Sequence, residues 1–63
     1  MSLAVLKDYL FIDNDSGEEF FVETFSKREA EKIVEENFGE DADIEYIGVY
    51  SVEEAEILGY DTY

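Results

Sequence analysis

The abundant side chains of this sequence that could do chemistry are carboxylates. There is no cysteine and no histidine, which excludes a thiol nucleophile, the commonest general base, the usual zinc ligands and any disulfide. A catalytic carboxylate must sit where its pKa is shifted. Asp8 and Glu23, each flanked by apolar residues, are the two that suit partial burial. The plainer expectation for both is a strand residue facing water or paired with Lys7. No glycine-rich phosphate loop and no serine-centred elbow appears. We therefore expect no catalytic residue, no metal site and no cofactor.

One stretch resembles a ligand loop in its opening. Asp13, Asp15, Gly17, Glu18 and Glu19 follow one another as in the start of a calcium site. An EF-hand needs glycine at its sixth position and a bidentate glutamate at its twelfth, between helices. Here those positions are Glu18 and Thr24, and both flanks read as strands. Turn formation accounts for every residue in the stretch.

Charge is the strongest signal. Eighteen Asp and Glu face four Lys and Arg, a formal −14 in 63 residues. The four cations are Lys7, Lys27, Arg28 and Lys32, and nothing after Lys32 is positive. The later part of the chain carries Glu35, Glu36, Glu40, Asp41, Asp43, Glu45, Glu53, Glu54, Glu56 and Asp61. Such a field opposes direct binding of nucleic acid or an anionic membrane and favours a basic protein partner. Solubility alone asks for a net charge of about 2–8 on a small domain. If the ten carboxylates form a continuous strip, they could approach the charge density of duplex DNA, one charge per roughly 1.7 Å.

The elements that must position these groups fit a single domain over residues 1–63. Leu3 to Asp13 reads as a strand whose bulky half is Tyr9-Leu10-Phe11-Ile12. A five-residue turn, Asp13 to Gly17, leads to a second strand from Glu19 to Phe25, making a hairpin. Ser26-Lys27-Arg28-Glu29 is a capping box in which hydroxyl and carboxylate each take a free backbone N–H. Ala30, Ile33, Val34 and Phe38 then mark one helical face, and Gly39 ends the helix. Three of the four cations lie on this helix, which makes it the least acidic surface. Ile44 to Tyr50 is a third strand, Ser51-Val52-Glu53-Glu54 a second capping box, and Gly59 the stop of a short helix.

The expected fold is α+β with the order ββαβα. The strand–helix–strand connection makes the second and third strands parallel in direction. Placing the first strand between them makes every neighbour antiparallel, so the expected sheet is three-stranded, mainly antiparallel, in the order 2-1-3. The long helix covers one face, and the short C-terminal helix covers an edge or part of the other. The apolar runs are too short for a membrane span. The first residues lack the basic start and long apolar stretch of a signal peptide, so a cytoplasmic location is expected.

Aromatic residues make 16% of the chain, too many for a disordered acidic tail. They cannot all face one helix. Tyr9, Phe20, Tyr46 and Tyr50 are the candidates for an aromatic interface, which would make the protein a homodimer through its open sheet face. The competing expectation is a monomer whose core is closed by the last helix with Tyr60 and Tyr63.

By its size, its paired Ser-x-x-Glu helices and its Glu-Glu-Ala-Glu-Ile-Leu-Gly-Tyr-Asp ending, the chain resembles the small acidic proteins of phages and bacterial mobile elements. Some of these, including anti-CRISPR and anti-restriction proteins, act as DNA mimics. The resemblance implies a non-catalytic inhibitor whose carboxylates dock on the basic site of a nucleic-acid-binding enzyme. The alternative is a small structural or interaction module whose charge serves solubility.

Overall fold

A computed structural model describes residues 5–63. The elements are β1 (Lys7–Asp13), β2 (Glu18–Thr24), α1 (Lys27–Phe38), β3 (Ile44–Tyr50), α2 (Val52–Leu58) and β4 (Asp61–Thr62). The expected start of the first strand at Leu3 lies outside the described residues. Val5 and Leu6 are exposed and precede β1.

The sheet order is β3-β1-β2-β4. The expected centre holds: β1, rich in bulky apolar side chains, pairs antiparallel with β2 on one side and β3 on the other. The expectation of three strands is corrected by β4, which joins the free edge of β2 in parallel and makes the sheet mixed. Two residues are too few to show an alternating pattern. Their pairing depends on Gly59, which takes a left-handed conformation at φ 74° and turns the chain back towards β2. The Tyr63 N–H then donates to the Phe21 carbonyl at 2.7 Å.

The β1–β2 turn follows its chemistry. Asp13 accepts the Asp15 N–H at 3.0 Å, and the Gly17 N–H returns to the Asp13 carbonyl at 2.7 Å. Gly17 sits at φ 77°, where a side chain would be strained.

Both helices start at the expected serines. Ser26 Oγ accepts the Glu29 N–H at 3.1 Å, and Ser51 Oγ accepts the Glu54 N–H at 3.2 Å. The carboxylate halves of the two boxes differ from expectation. Glu29 accepts from the buried Thr24 hydroxyl at 2.8 Å, and Glu54 accepts from the Ser51 hydroxyl at 3.1 Å. A nearby hydroxyl competes with the backbone N–H for these acceptors, and in the first case it ties α1 to the end of β2.

The helices lie on opposite faces of the sheet, giving three layers. Under α1, Tyr9, Phe11, Phe20 and Val22 pack with Ala30 and Val34. Under α2, Leu10 and Phe21 pack with Ala55. Phe21 and Val22 are adjacent on one strand, face opposite layers and have no exposed surface. No helix among the described residues is long and apolar enough to cross a membrane.

Candidate functional site

Alternation along the strands assigns each charged residue to a side. Lys7 pairs with Thr24, whose hydroxyl reaches α1, so Lys7 shares the α1 side with Lys27, Arg28 and Lys32. The Lys27 ammonium lies 4.5 Å from the centre of the Tyr46 ring on that side, within cation–π range. All four cations of the chain therefore belong to the α1 side. On the α2 side, the row Glu19–Ile12–Glu45 crosses the sheet, followed two residues along by Phe21–Leu10–Gly48 and then by Glu23–Asp8–Tyr50. The helix above contributes Glu53, Glu54 and Glu56, all exposed, with no basic residue in its last turn.

The ten carboxylates of the later chain are exposed, and the fold distributes them in three groups. Glu35 and Glu36 stand on α1, and Asp61 pairs with Phe20 on the same side of the sheet. Glu40, Asp41 and Asp43 occupy the α1–β3 connection, which Asn14 joins to the hairpin turn through the Asp43 carbonyl at 2.9 Å and carboxylate at 3.2 Å. Glu45, Glu53, Glu54 and Glu56 remain on the α2 side. Opposite placement of the helices is what separates the first group from the last.

The four candidate interface aromatics also divide. Tyr9 and Phe20 are buried beneath α1 and present no face to a partner. Tyr46 meets Phe11 edge-on with centroids 5.6 Å apart, while Tyr50 meets Phe21 on the opposite face at 5.9 Å. Tyr60 covers Phe21 on the α2 side, and Tyr63 meets Phe20 and Phe38 on the α1 side at 5.0 and 5.3 Å. The second sheet face is thus partly closed by α2, Tyr50 and Tyr60, while Tyr63, expected to help close it, lies on the α1 side.

Asp8 departs from the plainer expectation. It is 2% exposed, on the central strand, and faces α2 rather than water. Its Oδ1 is buried without a hydrogen-bond partner. Burial pushes its carboxyl up from the usual value, and the neighbouring Glu23 carboxylate adds to that by charge and by a hydrogen bond. Glu23 itself is exposed. The sequence signal for Asp8 was its apolar flanks; its partner across the ladder was not visible there. On the same side, the Glu19 carboxylate raises the Tyr60 phenol, first by hydrogen bonding and then by charge, with burial and Tyr50 adding to it.

The hairpin turn that resembles a calcium loop spends its Asp13 carboxylate on the Asp15 N–H. No cluster of three or more ligating side chains suited to a metal ion occurs among the described residues. No family model, curated protein or solved structure matches this chain.

Proposed function

We propose that the protein is a non-catalytic binding module that docks its α2 side on a basic site of another protein. The observation that carries this reading is the segregation of charge: every Lys and Arg lies on the α1 side, while the α2 side presents Glu19, Glu23, Glu45, Glu53, Glu54 and Glu56 with no basic side chain among the described residues. Opposed potentials speed encounter and set orientation. Sites that bind nucleic acid gather Lys and Arg to neutralise its phosphates, so a nucleic-acid-binding enzyme of the cytoplasm is the favoured partner and DNA mimicry the mode. Resemblance to phage-type inhibitors supports the same reading.

The test is a pull-down with immobilised protein, read by mass spectrometry, at low and high salt and with duplex DNA as competitor. Capture of basic nucleic-acid enzymes, released by salt and by DNA and lost in an E45K/E53K variant, is the expected result. Capture that survives all three treatments overturns the charge-driven reading. It would favour self-association or an ordinary interaction module, for which Ile57, 85% exposed beside Leu58 and Tyr50, supplies an apolar surface.

A further inference from the structure

Between the β1–β2 ladder and α2 lies a cavity of about 240 Å³. Asp8 and Glu23 from the ladder, Val52, Ala55 and Glu56 from α2, and Tyr60 from the tail line it. The buried Oδ1 of Asp8 is an acceptor without a donor, which a native fold rarely tolerates unless something else supplies one. We propose that this cavity is a receptor for the guanidinium of an arginine side chain carried by the basic partner, with Asp8 and Glu23 as paired acceptors.

This inference rests on the reading of the α2 side as the docking face. The choice of cation follows from the lining. No three-carboxylate cluster suited to a metal is present among the described residues. A cavity smaller than the usual ligand range of about 300–1,000 Å³ suits one side chain rather than a larger molecule. A guanidinium is planar, offers five donors and is weakly hydrated, so it enters a partly buried carboxylate pair at lower desolvation cost than an ammonium. Val52 and Ala55 would cover the methylene stem.

A proton should leave when the cation enters. The groups facing Asp8 are Glu23 from β2, Tyr50 from β3, Glu56 from α2 and Tyr60 from the tail, and none is cationic. Without a cation the buried Asp8 carboxyl holds its proton more readily than a solvated one does. Guanidinium binding releases that proton to solvent, so affinity rises with pH.

The experiment uses the full chain and N-acetyl-arginine-N-methylamide as probe, at constant ionic strength, following the carboxyl carbons of Asp8 and Glu23 by NMR. The citrulline and lysine analogues serve as controls. Saturable shifts at both carboxyls with the arginine probe alone, weakened at least tenfold in D8N and in E23Q and strengthening as pH rises above the ordinary aspartate value near 3.8, are expected. Equal shifts with citrulline, equal affinity for lysine, or unchanged binding in both variants overturns the proposal. The amide spectrum of each variant confirms that it is folded. If the probe fails while basic proteins are still captured, the cavity assignment falls and the docking face stands. If the probe binds while no basic protein is captured, the docking face falls and the cavity stands.

Discussion

Asp8 and Glu23 stand opposite each other across the β1–β2 ladder, the first buried and the second exposed. Asp8 carries a pKa raised by burial first and by Glu23 second. A raised folded-state value means that the stabilising contribution is complete below the unfolded value near 3.8 and is lost as pH rises through the folded value. Ionisation of the buried Asp8 therefore opposes folding.

The D8N variant tests this directly. Its amide keeps the shape, carries no charge and can donate to Glu23. We expect it to be more stable than the native chain at pH 7 by about 1–3 kcal/mol, the cost of leaving a buried polar group unsatisfied. The gain should shrink as pH falls towards 4. Urea unfolding at the two pH values measures both. Equal stability at pH 7 would show that Asp8 is satisfied in a way the geometry does not reveal.

Tyr63 seals the α1 layer from the sheet edge, with Phe20 and Phe38 meeting its ring edge-on. Such aromatic pairs contribute about 0.5–1.5 kcal/mol each beyond area burial. Y63A should therefore lower stability by about 1–3 kcal/mol. Its Tm should fall by about 4–8 °C for each kcal/mol lost in a domain this small. A thermal melt unchanged by Y63A would remove the tail from the folded unit.

Thr24 and Glu29 join β2 to α1 by a part-buried hydroxyl–carboxylate bond of 2.8 Å. T24V keeps the shape and removes the donor, so it should cost about 1–2 kcal/mol. Loss of the helix cap in S26A should cost about 1 kcal/mol. The two should not add, because Glu29 serves both connections through its N–H and its carboxylate. A double-mutant cycle in urea reads the coupling, and strict additivity would show that the two bonds act independently.

Local signals in the sequence marked the helix starts, the hairpin and the central strand, because caps, turn residues and apolar runs act within a few positions. Tyr46 and Tyr50 show where that reach ends. Four residues apart on a regular strand, they should share a face; they pack on opposite faces because Ile47 is an extra residue between the pairs Phe11–Tyr46 and Leu10–Gly48. The division of the carboxylates was hidden for a related reason. Which face α2 takes depends on Leu10, Phe21 and Ala55 meeting in space, and no spacing along the chain encodes that. The burial of Asp8 follows from the same contact.

Charge sets the last prediction. The Cα extents of the molecule are 38, 26 and 15 Å. The Debye length is about 30 Å at 0.01 M salt and about 10 Å at 0.1 M. At the lower concentration nearly every carboxylate repels every other, whereas at the higher one only near neighbours interact. The native chain at −14 should therefore gain stability on adding salt, with Tm rising by several degrees between these concentrations. Two reversals of two charges each bring E45K/E53K to −10, and its melt should depend less on salt. Glu53 lies in the first turn of α2, so a lysine there also opposes the helix dipole, at about 0.3–1 kcal/mol. That penalty offsets part of the relief but is itself screened, so the slope against salt, rather than the absolute Tm, measures the repulsion. A Tm that does not move with salt in the native chain would mean that its charge costs no stability. The excess over what solubility requires would then no longer call for a partner.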